Sequence, residues 1–303
     1  MIQILDLQFG APGVIGAFVV RSSDGPVLIE TGPESTYAAL ERGLRAIGET
    51  AEAVRHVLLT HIHLDHAGAA WRLARLGATI YVHPVGAPHL ADPARLLASA
   101  RKIYGDRMDS LWGRLEPIPS GRLRSVSDGE ILRVGGVSIE ALHTPGHASH
   151  HIAYRIDGAV FTGDVGGVRV GNGPAVPPCP PPDIDLEAWR RSISTLRSIG
   201  PETLYLTHFG AFSDASAHLE TLEEALASFS GWVREELTKG RSQEDLVPLF
   251  DAFTRGFLES HGTGTAELQR YALANPAFMS VWGLARYWRT VAPREAAETN
   301  STA

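Results

Sequence analysis

The sequence predicts an α/β fold in which helices pack on β-sheets. In the first half of the chain, short β-rich runs punctuated by glycine alternate with helical patterns. The same alternation resumes near residue 186, after an irregular stretch. Two of the β-rich runs also end alike, because Val57–His61 and Leu204–His208 each finish an apolar strand with Thr-His. If these strand ends meet, they deliver two histidines to one site.

The predicted elements follow the chain in order up to residue 162. The strands expected first are Ile2–Leu7, Val14–Arg21, Val27–Glu30, Val54–Thr60 and Thr79–His83. The helices expected among them are Glu34–Ile47, Ala67–Leu76 and, interrupted by a proline, Ala87 to about Trp112. The strands that follow, with turn signals at Gly135-Gly136 and Asp157-Gly158, are Glu130–Val134, Val137–His143, His151–Ile156 and Ala159–Thr162.

The stretch Gly166–Pro182 is irregular and rich in glycine and proline. We interpret it as an active-site loop, because long irregular segments of compact proteins are usually functional; an interdomain linker is the alternative. The elements expected after it are a helix at Leu186–Ile199, a strand at Thr203–Thr207 and helices at Asp214–Lys239, Gln243–His261, Thr265–Ala272 and Ala277–Thr290.

This order predicts three parts of the chain. They are a catalytic domain over 1–240, a C-terminal helical extension over 241–295 and a disordered polar tail over 296–303. The helices after about Ser242 carry apolar and aromatic faces, which suit core packing, a wall over the substrate or a homodimer interface.

Composition narrows the class of function. The 303 residues are 44% apolar and 20% charged, near globular averages, and the net charge is −7 without a long basic run. We therefore expect a small-molecule substrate and no binding to nucleic acid or to a membrane surface. The first residues carry no basic region and only a short apolar run, which predicts a cytoplasmic protein. Because Cys179 is the only cysteine, any metal must be held by nitrogen and oxygen donors.

The segment Thr60–Gly68 holds three histidines and an aspartate at the junction of a strand and a helix. Alternate residues of an extended chain face one way, so His61, His63 and Asp65 converge, and His66 opens the helix. A lone histidine is usually a hydrogen-bonded structural residue. A cluster of this density at a strand end indicates a divalent metal.

Three later segments offer similar side chains at strand ends or turns. His147 follows the turn Pro145-Gly146, Asp164 follows Thr162-Gly163, and His208 follows Thr207. Each alone is a weak signal, but together with the cluster they indicate one site.

The sequence His-x-His-x-Asp-His, then Thr-Pro-Gly-His, Thr-Gly-Asp and Thr-His, resembles the metallo-β-lactamase superfamily over roughly 1–231. The resemblance implies a four-layered αββα sandwich with two divalent metal ions at one edge between the sheets. His61, His63 and His147 would bind the first ion, Asp65, His66 and His208 the second, and Asp164 would bridge them. Zinc is the first choice of metal, with manganese or iron as alternatives, because these donors suit all three.

Two adjacent cations can share a hydroxide at neutral pH and polarise the carbonyl that it attacks. This predicts a hydrolase of an ester, thioester or lactone, in which Asp65 also steers or transfers a proton. Among members of the superfamily, the donor set looks most like glyoxalase II-type thioesterases and quorum-signal lactonases. The commonest β-lactamases use cysteine where Asp164 stands, and the redox-active diiron proteins carry glutamate where His63 stands. The alternatives are a persulfide dioxygenase with a single iron and a β-lactam hydrolase, whereas a non-catalytic module would be expected to have lost ligands.

Three further residues are candidates near this site. In much of the family the early strand ends Asp-Thr-Gly, whereas this chain reads Glu30-Thr31-Gly32, so Glu30 is expected to accept a hydrogen bond from a metal ligand. Arg169 is a candidate partner of a substrate carboxylate. Phe209, directly after His208, is a candidate wall of the substrate pocket.

Overall fold

The computed structural model describes residues 2–301, with side chains up to Thr290. Two six-stranded sheets face each other, and helices cover the outer face of each sheet, which gives the predicted αββα sandwich. Within these residues, no helix is both long and apolar enough to cross a membrane.

The first sheet is formed in chain order. Its strands are β1 (Ile2–Asp6), β2 (Gly16–Ser22), β3 (Gly25–Ile29), β4 (His56–Leu58), β5 (Thr79–Val82) and β6 (Leu123–Ser125). The pairs from β1 to β3 are antiparallel, and those from β3 to β6 are parallel. The strands β3, β4 and β5 therefore end at one edge of the sheet.

The second sheet holds the remaining strands in the order β12-β11-β10-β9-β8-β7. They are β7 (Ile131–Val134), β8 (Val137–His143), β9 (Ile152–Ile156), β10 (Ala159–Phe161), β11 (Thr203–Leu206) and β12 (Gly210–Phe212). Only the pair β10 and β11 is parallel among these strands. The carboxyl ends of β10 and β11 thus meet at one edge, as those of β3 and β4 do.

Six helices cover the first sheet and five cover the second in the described part of the chain. The first set is α1 (Tyr37–Ala46), α2 (Leu64–Ala67), α3 (Ala70–Arg75), α4 (Ala87–Ala91), α5 (Ala94–Tyr104) and α6 (Met108–Trp112). The second set is α7 (Leu186–Ser198), α8 (Ala215–Thr238), α9 (Gln243–Ser260), α10 (Thr265–Ala274) and α11 (Ala277–Ser301).

Side chains that alternate between the two faces of the inner strands allow each sheet to contact both the opposite sheet and its own helices. In β3, Val27 and Ile29 face the core between the sheets, whereas Leu28 faces the core under the helices of the first sheet. Successive strand residues point to opposite faces, so one apolar strand serves both cores. Each such side chain contributes about 1.5–3 kcal/mol when it is fully buried.

The structure differs from the predicted elements at a few places. The strands β6 and β12 were not predicted, because Leu123–Ser125 and Gly210–Phe212 are short and lack an apolar alternation. The predicted helix Ala67–Leu76 is found as α3 and is preceded by the short helix α2. The expectation that Asp65 continues an extended chain from His61 is wrong, because Asp65 lies in the first turn of α2.

The predicted C-terminal extension shares a core with the rest of the protein. Leu246 and Phe250 of α9 and Val281 of α11 belong to the same apolar cluster as Leu204 of β11. The predicted tail, 296–303, begins within α11; its side chains and residues 302–303 lie outside the described residues.

Candidate metal centre

All seven residues predicted as metal ligands come together at the edge between the two sheets. They follow the carboxyl ends of β4, β8, β10 and β11. Three groups of these side chains have ligand atoms that all lie within 4.8 Å of one another inside the group. The groups are His61 with His63 and His147, His61 with His66 and Asp164, and Asp65 with His66 and His208.

The first group is a convergence of three imidazole nitrogens. Nδ1 of His63 lies 2.9 Å from Nε2 of His61 and 3.0 Å from Nε2 of His147. Nδ1 of His147 lies 2.8 Å from the carbonyl oxygen of Pro178, which can only accept, so this nitrogen carries the proton. The Nε2 atom of His147 therefore presents a lone pair to the group.

Three other histidines have their tautomers fixed by hydrogen-bond acceptors in the same way. Nδ1 of His208 donates to the carbonyl oxygen of Val14 (2.8 Å), and Nδ1 of His66 donates to the Glu30 carboxylate (3.0 Å). The hydroxyl of Thr60 gives its proton to Glu30 and therefore accepts from Nδ1 of His61 at 3.0 Å. In the neutral form of all four rings, Nε2 presents a lone pair toward the site.

The second group consists of Asp65, His66 and His208, and the two oxygens of the neighbouring Asp164 carboxylate face different histidines. Oδ2 lies 3.3 Å from Nε2 of His147, while Oδ1 lies 3.2 Å from Nε2 of His66 and 3.5 Å from Nε2 of His208. Asp65 completes the group, with Oδ2 at 3.6 Å from Nε2 of His208. Asp164 thus lies between the two groups, as a bridging ligand would.

These donors fit metal ions by their unsatisfied atoms. Nε2 of His66, Nε2 of His208 and Oδ1 of Asp164 are buried and have no hydrogen-bond partner. Such atoms are costly to bury without a partner. Imidazole nitrogens and carboxylate oxygens that converge in this way are the donor set that a metal cation requires.

Electrostatics lead to the same conclusion. Burial lowers the pKa of His61 well below its usual value and that of His147 to about 4, so both rings are neutral and ready to bind a metal. Burial opposes ionisation of Asp65, yet His66 and His208 lower its pKa to about 2. No ion pair of the described residues brings a lysine or arginine to Asp65, Asp164 or Glu30. Against the effect of burial, Asp164 and Asp65 raise the pKa of His66 and His208, so these two rings hold protons that a metal ion would displace.

Glu30 links the two sheets behind the ligands. Its carboxylate is fully buried and accepts hydrogen bonds from Thr60, His66 and the hydroxyl of Thr207 (3.5 Å). The predicted hydrogen bond to Glu30 is present, and its donor is His66, one of the predicted ligands. The repeated Thr-His strand ends now have an explanation, because each threonine contacts Glu30 while the histidine after it faces the site.

A cavity of about 500 Å³ opens above these ligands. Its base includes His63, Asp65, His147, Asp164 and His208. Its walls come from three segments, namely α5 with α6, the end of the proline-rich loop, and the junction of α10 with α11. The prediction that Gly166–Pro182 lines the pocket is confirmed for Pro178 and for Pro180–Pro182.

The proline-rich loop is held by side chains of the C-terminal helices. Proline has no N–H to donate, so the loop offers carbonyl oxygens. Pro174 accepts from Tyr271 (2.7 Å), Pro177 from Asn275 (3.1 Å) and Pro182 from Arg286 (3.2 Å). Since Pro178 accepts from His147, α10 and α11 support a predicted metal ligand through this loop.

Three other sequence interpretations do not reach the cavity. Arg169 donates to both oxygens of Asp214 (2.8 and 2.9 Å), and Phe209 packs toward Gly13 and Gly16. Neither is among the described residues that line the cavity, which gives no support to their roles as substrate contacts. The apolar face of α9 packs in the core with α8, so of the helices after Ser242 only α10 and α11 form a wall.

Sequence reasoning missed the wall formed by α5 and α6. A signal was present, since Leu96, Ala100, Ile103 and Tyr104 recur at helical spacing and all four line the cavity. That spacing is equally typical of core packing, and only the tertiary structure shows that this face looks over the metal centre.

A four-layered sandwich with histidine and aspartate donors at the edge between its sheets defines a class of metal-binding α/β protein. The family model of the metallo-β-lactamase superfamily matches residues 11–208, and the chain belongs to this superfamily.

Known relatives extend this comparison. The chain is 26% identical over 206 residues to a metallo-β-lactamase fold-containing protein of Sulfurisphaera tokodaii, covering 67% of this chain and 75% of that one. It is 28% identical over 218 residues to an atrochrysone carboxyl ACP thioesterase of Aspergillus fumigatus, covering 70% of this chain but only 41% of the thioesterase. The solved structure of a metallo-β-lactamase family protein from Thermus thermophilus has a TM-score of 0.65 at 23% identity, over 96% of this chain and 94% of that one. That structure shares the fold along nearly the whole chain.

Proposed function

We propose that this protein is a hydrolase that uses two divalent metal ions to cleave an ester, thioester or lactone of a small molecule. The observation that carries the proposal is the arrangement of seven donors in two groups, with Asp164 between them, at the base of one cavity. A single zinc, manganese or iron ion takes about four to six donors, so this set suits two ions.

When bound, the two ions would make a water molecule acidic enough to attack at neutral pH and would polarise the substrate carbonyl. Zinc is the first choice, with manganese or iron as alternatives, because the donors are nitrogen and oxygen. The chain's own residues hold the ions and orient the histidines through Glu30, Thr60, Val14 and Pro178.

Asp65 has the additional role of handling a proton. Its side chain is 22% exposed, whereas those of His66 and Asp164 are 0% and 5% exposed. Asp65 and Asp164 both line the cavity, and Asp65 is the more exposed of these two carboxylates. A carboxylate at this position is able to accept a proton from the attacking water and pass it to the leaving group.

The comparison with the fungal thioesterase supports a thioester among the candidate bonds. A subclass B3 metallo-β-lactamase with an active-site glutamic acid is similar in structure, with a TM-score of 0.55 at 20% identity, and this is a likeness of fold. Hydrolysis of β-lactams and oxidation of persulfides are the two alternative activities, and the test includes a substrate for each of them.

The test uses metal-free protein that is reloaded with zinc, manganese or iron(II). Each form is assayed on thioesters, esters, lactones, β-lactams, phosphodiesters and, with an oxygen electrode, persulfides. We expect metal-dependent hydrolysis of one of the first three classes. Oxygen uptake with persulfide by a form that holds one iron, and no hydrolysis, would replace the proposal with the dioxygenase.

A further inference from the structure

We propose that the cavity above the metal centre selects substrates with a bulky, predominantly hydrocarbon acyl group that carries an aromatic ring. The faces of α5 and α6 and the junction of α10 with α11 would determine this specificity. The inference rests on the proposed function, because it places the scissile carbonyl at the metal end of the cavity.

The chemistry of the walls is the first argument. Polar donors lie at the base of the cavity, whereas the sides are formed by hydrocarbon and aromatic groups such as Leu96, Ile103, Leu111 and Phe278. A volume of about 500 Å³ lies in the range of pockets that enclose ligands of drug size. An acetyl or lactoyl group would leave most of these walls in contact with water, whereas a large acyl group would cover them.

The aromatic side chains give the second argument. The Trp112 ring stacks on Phe9, with centroids 5.4 Å apart, and meets Tyr104 edge to face at 5.0 Å. The Tyr104 hydroxyl points across the cavity to the thioether of Met279, 3.8 Å away, and thereby connects α5 with α11. Tyr104, Trp112 and Phe278 all line the cavity, and aromatic walls of this kind favour another ring through offset or edge contacts.

The rim of the cavity gives the third argument. Val85 and Leu273 are 51% and 39% exposed, and they are two of the six large apolar side chains that stand exposed in the described part of the chain. Both line this cavity. Arg95 and Arg107 are also exposed there, so a polar alcohol or thiol carrier has basic partners at the solvent side. The apolar part of the substrate therefore belongs inside, and the polar carrier outside.

The test keeps the leaving group constant and varies the acyl group. Thioesters of N-acetylcysteamine with acetyl, hexanoyl, benzoyl and 2-naphthoyl groups are compared by kcat/KM with the metal-loaded protein. We expect kcat/KM to rise by about tenfold or more from acetyl to naphthoyl, because more apolar surface is buried. A flat series, or a preference for acetyl, would overturn the proposal.

Two variants, at leucines that are equally exposed in the wild type, test whether the acyl preference depends on the rim of the cavity. Leu273→Gln changes the rim, while Leu249→Gln changes a leucine of α9 that is also 39% exposed but does not line the cavity. We expect Leu273→Gln to lower kcat/KM for the naphthoyl thioester by about fivefold and to leave that for acetyl unchanged. Leu249→Gln should change neither value. Equal effects of the two variants would contradict the assignment of the rim.

A binding measurement separates this inference from the proposed function. The probe is a ketone analogue of the naphthoyl thioester, which cannot be hydrolysed. It is titrated into the protein while tryptophan fluorescence is followed. The corresponding ketone analogue of the acetyl thioester is the small control. Binding of the naphthyl ketone without turnover of any ester, thioester or lactone would support the apolar site and refute the hydrolase. Turnover of small thioesters without binding of the naphthyl ketone would do the reverse.

Discussion

At the scale of residues, the site depends on acceptors that fix which nitrogen of each histidine is free. The seven donors could be predicted from sequence because they occur in short motifs at strand ends. The carbonyl oxygens of Val14 and Pro178 could not, since any residue type presents such an oxygen and only the fold brings these two to His208 and His147. Glu30 was predictable from its place after a strand, but its contacts with both Thr60 and Thr207 were not.

Replacing Glu30 with Gln tests this supporting layer. The change keeps the size of the side chain but removes the charge that orients His66 and accepts from Thr60. We expect the affinity for the more weakly held ion to fall by about 10- to 100-fold, measured as metal retained after dialysis against a chelator of known strength. Glu34→Gln is the control, because Glu34 pairs with Arg72 away from the site. Equal metal retention by wild type and Glu30→Gln would show that Glu30 is not needed.

Replacing Asp65 with Asn tests its catalytic role. The amide keeps the shape but cannot accept a proton as a carboxylate does, so turnover should fall by roughly 100-fold or more while KM changes little. Asp183→Asn is the control. Asp183 lines the same cavity, but its carboxylate accepts a hydrogen bond from Ser149 and is not one of the seven predicted metal ligands. Metal content is measured on both variants. Near-normal kcat in a fully loaded Asp65→Asn protein would remove Asp65 from the reaction.

At the scale of elements, the C-terminal helices and the proline-rich loop act as one unit. The sequence predicted both segments as walls of the pocket, because the loop begins two residues after Asp164 and the helices carry apolar faces. It did not distinguish α9, whose apolar face packs in the core, from α10 and α11, which reach the cavity. Helical spacing looks the same in both cases, and only the packing partners differ.

Gly283 provides a test of this unit. It lies within α11 against the loop, and a Cβ there would overlap the carbonyl oxygen of Cys179. We expect Gly283→Ala to destabilise the protein by about 1–3 kcal/mol in urea unfolding. It should also weaken metal binding by the group that contains His147, which donates to Pro178.

The matched control is Gly256→Ala in α9. Gly256 has nothing within 4 Å of the position where a Cβ would stand, so this change should stabilise the helix by up to about 1 kcal/mol. A Gly283→Ala protein as stable as wild type, with unchanged metal content, would show that the loop does not depend on close contact with α11.

At the scale of the whole molecule, three apolar cores hold the four layers together. The layers could be predicted, because alternating apolar strands and amphipathic helices specify which faces are buried. Two of the four edge strands, β6 and β12, could not be predicted, since a strand of three residues is too short to show an alternation. The wall formed by α5 and α6 also depends on how distant segments pack, which local periodicity does not report.

Cys179 reports on the intactness of this packing. The thiol is fully buried in the core of the second sheet, and burial raises its pKa. We expect no reaction with a disulfide reagent such as DTNB in the native protein, and reaction of one thiol per chain as urea unfolds it. Rapid labelling of the native, metal-loaded protein would mean that the loop opens readily.

The central claim is that the donors hold two metal ions. The most direct measurement is native mass spectrometry of metal-free protein titrated with zinc, for wild type and for His66→Ala. We expect two ions per chain at saturation for wild type and one ion for His66→Ala. The group of His61, His63 and His147 is complete without His66, whereas the group of Asp65, His66 and His208 loses a donor. Wild type that saturates with a single ion, or His66→Ala that still binds two, would contradict the claim.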